Sequence, residues 1–243
     1  MSRLATSGSA GSRISPPNRR DGQSELRTAR GRGTLSPVIR VHRIAYSTNV
    51  ERVALAAGVK GIEVEWVDHD PDDRTAVREV SGQDLVPVAE IGGEIVFDSM
   101  RIVERLEALE PDPPLFESAP SDRANLDVFV EWFNRVWKSP PNELDDELAK
   151  AAPDAGTVED LTARTRAWTP LFEAMLTGRA FLGGDSFGAR DVAAFPFLKY
   201  AVIEIPEDDE EPFHFALERC LKPADAYPLL CDWVRRVDSL PRA

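Results

Sequence analysis

The stretch VPVAEIGGEIVFDSMRIVERLE, residues 86–107, decides the fold. Two runs rich in strand-forming residues, 86–91 and 94–97, flank Gly92-Gly93. A two-residue Gly-Gly connection supplies the positive φ angles of a tight antiparallel hairpin. Pro87 stands at the entry to the first run, where a residue without an N–H is tolerated in a sheet. Asp98-Ser99 then offers a capping side chain, and Ile102, Val103, Leu106 and Leu109 recur at helical spacing until Pro111. The three prolines between 112 and 120 mark a linker.

Working toward the N-terminus, VIRVHRIA (38–45) alternates apolar and polar residues as a half-buried strand does. Ser47-Thr48-Asn49 interrupts it, and Val50, Val53, Ala54 and Ala57 predict a helix that stops at Gly58. Ile62, Val64 and Trp66 alternate with Glu63 and Glu65 in a second strand. Strand, helix and strand within so short a span form a βαβ unit, which requires parallel strands. A short helix over 72–80, closed by Gly82, completes the order βαβαββα, that of a thioredoxin-like α/β module over residues 38–116.

Beyond the linker the periodicity is helical, predicting an all-α domain over 121–243. Leu126, Phe129, Val130, Phe133, Val136 and Trp137 form one apolar stripe, and Trp168, Leu171, Phe172 and Met175 another, whose helix Pro170 must begin or kink. The very apolar segment 191–203 predicts a helix at the centre of a bundle, and 227–237 a last amphipathic helix. EIPEDDEEP (204–212) reads as a solvated acidic loop.

Residues 1–37 differ in kind. They carry seven Arg against Asp21 and Glu25, a net of +5 in a chain of net −13, with little that could form a core, and so predict a disordered basic tail. A translation start near Val38 accounts for them equally well. The acidic remainder argues against nucleic acid or an anionic membrane as partner, since phosphate binding needs a basic footprint. No apolar run reaches the roughly 18 residues of a membrane span, and the N-terminus lacks a secretory signal, so a cytoplasmic location is expected. Cys220 and Cys231 lie outside any CxxC or Cys/His cluster and read as reduced structural thiols, with no metal site expected.

Three features converge on one edge of the α/β module. Ser47, Thr48 and Asn49 lead from the first strand into the first helix, either as a plain N-cap or as hydroxyl and amide groups facing a ligand. A cis Val86-Pro87 bond would turn the backbone N–H and C=O of Val86 outward, where an extended peptide can pair with them as an added strand. Asp98-Ser99 opens the third helix; its free N–H groups suit a ligand carboxylate and the Asp suits an ammonium, besides serving as a cap.

In this order on this topology, the residues resemble the cytosolic glutathione S-transferases, and more particularly their bacterial, serine-type, phi- and theta-like classes. STNVERV (47–53) is similar to the S-x-x-x-x-R-V pattern of the serine classes, VPV (86–88) to the cis-proline motif, DSMRIVERLE (98–107) to the acidic-Ser helix start, and GDSFGARDVAAFPFL (184–198) to the capping motif of the central helix. The resemblance spans roughly residues 38–240.

It implies a detoxifying, homodimeric transferase with glutathione as co-substrate and a small hydrophobic electrophile as the second substrate. Ser47 would be catalytic; Thr48, Asn49, Val86, Pro87, Asp98 and Ser99 would bind the tripeptide; Trp132, Phe133 and Trp137 would wall the electrophile pocket unless they belong to the core. Tyr46 and Thr48 offer neighbouring hydroxyls that spacing does not distinguish from Ser47. Leu85 stands where many relatives carry Lys, and Gly188 where they carry a Ser or Thr cap. Another low-molecular-weight thiol could replace glutathione. A non-catalytic binding protein on the same fold, and a glutathione-dependent lyase or isomerase, are the competing readings.

Overall fold

The computed structural model describes residues 38–243; the expectation of a disordered tail lies outside them. The N-terminal module runs β1 (Ile39–Arg43), α1 (Thr48–Lys60), β2 (Glu65–Asp68), α2 (Thr75–Ser81), β3 (Val88–Ile91), β4 (Glu94–Phe97) and α3 (Ser99–Leu109). Its sheet has the order β2-β1-β3-β4. β2 pairs parallel to β1, as the βαβ connection demands, while β3 and β4 add antiparallel through the Gly92-Gly93 turn, where both glycines have positive φ. This is the thioredoxin-like arrangement.

One expectation at a helix end and one about a loop are corrected. The first helix does not stop at Gly58 but continues to a cap at Gly61, whose φ is +64°. Gly58 serves a different purpose: a Cβ there would lie 2.4 Å from the Pro241 carbonyl oxygen and 2.5 Å from Arg242 Cα. Its lack of a side chain lets the C-terminal segment cross α1, and the Ala243 N–H donates to the Ala54 carbonyl at 3.0 Å. The acidic segment is mostly exposed, yet Asp209 inside it is buried and takes the His214 Nδ1 at 2.7 Å.

The helical region comprises α4 (Pro120–Trp132), α5 (Ser139–Leu148), α6 (Ala155–Arg166), α7 (Thr169–Met175), α8 (Ala189–Leu198), α9 (Pro212–Leu221) and α10 (Pro228–Asp238). Pro170 begins α7 rather than kinking it. Helix α8 is central, buried on nearly every face, and α1 packs between it and α3. Asp191, 0% exposed, fixes the start of α8: Oδ2 accepts from the Gly188 N–H at 3.0 Å, and Oδ1 from the Leu182 N–H at 2.9 Å and Trp233 Nε1 at 2.7 Å. Gly188 brings no capping hydroxyl because a Cβ there would press to 3.0 Å on the Leu115 carbonyl, which accepts the Ala189 N–H at 2.7 Å.

Between α4 and α5 the chain makes a widened, π-helical turn over Phe133–Trp137, closed by the Lys138 N–H on the Phe133 carbonyl at 3.0 Å. Such turns shift the side chains that follow and recur near functional sites. Here the turn presents Asn134 and Lys138 toward the N-terminal module.

Candidate functional site

Two clefts meet where the end of β1, the approach to β3 and the start of α3 face the helical region. One, of about 520 Å³, is lined by Asn49, Val86, Pro87, Asp98, Ser99, Arg52, Gln83, Asn134 and Lys138, among others. The other, of about 370 Å³, holds Tyr46, Ser47, Thr48 and Asn49 on one wall and Lys138, Asn142, Asp145, Phe197, Phe213 and His214 on the opposite wall. Asn49, Leu85, Val86 and Lys138 line both. The seven residues singled out as catalytic or thiol-binding are therefore brought together.

Ser47 is the N-cap of α1, and its Oγ accepts the Val50 N–H at 3.4 Å. That bond is longer than the usual 2.9–3.0 Å or so for an amide donor, so the hydroxyl is only lightly committed to the cap. Cap and cleft residue are one and the same side chain. Thr48 is buried at the rim, and the exposed Tyr46 has positive φ and a hydroxyl turned to Asp208, which helps push its pKa up.

The Val86-Pro87 bond is cis, and among the described residues neither the N–H nor the C=O of Val86 has a hydrogen-bond partner. Asp98 caps α3 with Oδ1, which accepts the Met100 and Arg101 N–H groups at 3.0 and 3.2 Å. Its φ of +72° is unusual for a non-glycine residue, a conformation that tends to persist where a site requires it. Its other carboxylate oxygen carries no hydrogen bond among the described residues.

Arg52, from the R of the S-x-x-x-x-R-V stretch, is 1% exposed and ties the module to the helical region. Nε and Nη2 donate to the Ala193 carbonyl at 2.9 and 2.7 Å, Nη1 to Ser99 Oγ at 3.2 Å, and Nη2 also to Asn134 Oδ1 at 3.0 Å. Ser99 thereby spends an acceptor on Arg52 and keeps its hydroxyl hydrogen for another partner. Burial holds the guanidinium down to about 9, although Asp98 opposes the shift. Lys138 is held down to about 7, by burial first and by the Arg52 charge second.

The three aromatic residues expected to wall an electrophile pocket do not reach the clefts. Phe133 and Trp137 are 0% exposed and stack on each other at 4.6 Å inside the helical core, and Trp132 packs edge-on to Trp168 at 5.3 Å. None of the three lines either cleft. The apolar wall comes instead from Phe197 of α8 and Phe213 of α9. Sequence reasoning missed Lys138, Asn134, Asn142 and His214 as well; no periodicity marks a lone Lys after a π turn, and α9 follows an acidic loop that hides its start.

A thioredoxin-like module whose cis-proline edge opens on a helical region, with a capping hydroxyl in the joint, defines a thioredoxin-fold protein that carries a helical second half. Residues 41–114 match the family described as Glutathione S-transferase, N-terminal domain. A probable glutathione S-transferase of Nicotiana tabacum is 26% identical over 155 residues, 61% of this chain and 65% of that protein. The curated relatives are matched over 36% to 65% of their own lengths. Among solved structures, the tau-class glutathione S-transferase of Mangifera indica has a TM-score of 0.68 at 17% identity, over 84% of this chain and 90% of that one. The theta-class enzyme of Xanthomonas axonopodis pv. citri, solved with glutathione bound, has a TM-score of 0.61 at 21% identity, over 82% and 92%. Residues 41–114 thus match the N-terminal domain of that family, and the described residues share the fold of the solved transferases.

Proposed function

We propose that the protein is a glutathione transferase that joins the sulfur of glutathione, or of another low-molecular-weight thiol, to a small hydrophobic electrophile. The observation that carries the proposal is the convergence of Ser47, the unpaired backbone of Val86 and the Asp98-Ser99 helix start on two abutting clefts. The tripeptide would lie extended along Val86, pairing with its free N–H and C=O as an added strand does. Its γ-glutamyl end would meet the free oxygen of Asp98, the Ser99 hydroxyl and the N-terminus of α3.

Ser47 would then hold the sulfur. A free thiol ionises near pH 8.5, whereas the thiolate is the nucleophile. A hydroxyl donating to sulfur and the positive end of α1 both favour the charged form. Lowering the thiol pKa by about two units corresponds to about 2.7 kcal/mol. The electrophile would occupy the cleft walled by Phe197 and Phe213, and a homodimer in the cytoplasm is the form proposed for the active protein. No described helix is long and apolar enough to cross a membrane.

Turnover of a chlorodinitrobenzene electrophile with reduced glutathione tests this reading, with a thermal-shift panel of other thiols beside it, since a ligand of the native state raises its stability. Conjugation above the uncatalysed rate supports a transferase. Thiol binding without turnover of that or other electrophiles would leave a binding protein on the same fold.

A further inference from the structure

Among the described residues Lys138 is the cation common to both clefts, and its surroundings leave its charge unanswered. Arg52 lines only the larger cleft and Arg74 only the smaller. The Lys138 Nζ donates to Asn49 Oδ1 at 3.4 Å and sits 4.4 Å from the centre of the Phe197 ring. Among the described residues no carboxylate lies within 4 Å of it, whereas Lys60, Lys150, Lys199 and Lys222 each have a carboxylate partner. A half-buried ammonium without a counter-ion is costly unless something charged completes the site.

The position is specific. The π turn over Phe133–Trp137 delivers Lys138 across the joint to Asn49, in the first turn of α1, where the helix dipole already favours an anion. Arg52, one turn further along α1, has its donors engaged by Ala193, Ser99 and Asn134. Ser47, on the same cleft wall, is the residue to which the proposed function assigns the sulfur.

We propose that Lys138 is a further catalytic residue, its Nζ accepting the proton of the bound thiol and then standing as counter-ion to the thiolate. The inference rests on the transferase reading above. In the step, the S–H bond breaks, its electron pair stays on sulfur and the proton joins the neutral amine as ammonium. Sulfur then attacks the electrophile, the leaving group departs with its bonding pair, and the ammonium returns its proton to solvent. Burial and Arg52 hold Lys138 down to about 7, so that both of its protonation states exist at neutral pH. The other titratable and charged groups around it are Tyr46 before α1, Arg52 of α1, Asp98 at the start of α3, Asp145 of α5, Glu211 and His214 at α9, and Arg74 and Asp84 across the smaller cleft.

The test measures the ultraviolet absorbance of the thiolate in the protein–glutathione complex across pH, for the unaltered chain, Lys138→Met and Lys138→Arg, with glutathione affinity from calorimetry in each. The expected result is a bound thiol pKa raised by at least about one unit in Lys138→Met, a tenfold fall in its ionisation constant and about a threefold loss of thiolate at neutral pH. Lys138→Arg, which keeps the charge but cannot take a proton, should hold the low thiol pKa while turnover at neutral pH falls. An unchanged thiol pKa in a folded Lys138→Met that binds glutathione normally would overturn the role of Lys138 and leave the transferase reading standing. Should Lys138→Met fail to melt cooperatively, Lys138→Arg decides by its turnover, full activity being the overturning result. Failure of the unaltered chain to bind glutathione or any other thiol would overturn both.

Discussion

Replacing Asp191 with Ala should destabilise the protein by about 3–6 kcal/mol. Its carboxylate is 0% exposed and gathers three donors: the buried Leu182 N–H and Trp233 Nε1 on one oxygen, the half-buried Gly188 N–H on the other. Leaving a buried donor unsatisfied costs about 1–3 kcal/mol, and three orphaned together fall short of a simple sum once the site relaxes. Against a total stability of roughly 5–15 kcal/mol this is a large fraction. Asp191→Asn should cost less, about 1–3 kcal/mol. Its single amide oxygen can keep Leu182 and Trp233, but its NH₂ then faces the Gly188 N–H, and one bond becomes a donor–donor conflict. Urea denaturation followed by circular dichroism at neutral pH measures both. An Asp191→Ala cost below about 1 kcal/mol, or an Asn variant as unstable as the Ala one, would refute the assignment of α8 capping to this carboxylate.

Gly58→Ala should destabilise the full chain by about 1–3 kcal/mol, because the new Cβ collides with the backbone at Pro241 and Arg242. In a chain ending at Leu240 the same change should stabilise by up to about 1 kcal/mol, the helix-propensity gain of Ala over Gly; thermal melts of the four chains show whether the sign reverses. Lys138→Met should alter the pH dependence of stability. The folded-state value near 7 lies below the ordinary 10.5, so between them the unfolded chain binds more protons and stability rises with pH. The advantage of Lys138→Met over the unaltered chain should therefore be full below about pH 7 and fade toward 10.5; denaturation at pH 6.5 and 9 compares the two, and equal gaps would contradict the shift. Phe213→Ala should weaken the apparent affinity for apolar electrophiles several-fold, while Trp132→Ala should act on stability alone; steady-state kinetics and melting temperatures separate the two.

Much of the N-terminal module was legible because its signals are local. Gly92-Gly93 can hardly be anything but a tight turn between strands, Asp98 caps its own helix two and three residues on, and the alternation of 38–45 needs no partner to be read. The residues of that module that line the two clefts were legible for the same reason. What escaped was decided by distant packing. Gly58 is shaped by a segment more than 180 residues away, Asp209 is buried through His214, and Lys138 owes its place to a π turn that leaves no mark on hydrophobic spacing. The aromatic stripe misled because Phe133 and Trp137 follow the same spacing whether they face a cavity or a core; their complete burial, with edge-to-face contacts on Phe172 and Phe197, settles it as core.

The most direct measurement is a crystal structure of the protein soaked with reduced glutathione, paired with turnover of the Ser47→Ala variant. The tripeptide should lie antiparallel to the Val86 backbone with its sulfur within hydrogen-bonding reach of the Ser47 hydroxyl, and the variant should lose at least about tenfold in rate while giving up only about 1 kcal/mol of helix-cap stability. Glutathione found elsewhere on the surface, or a Ser47→Ala protein with undiminished turnover, would contradict the account.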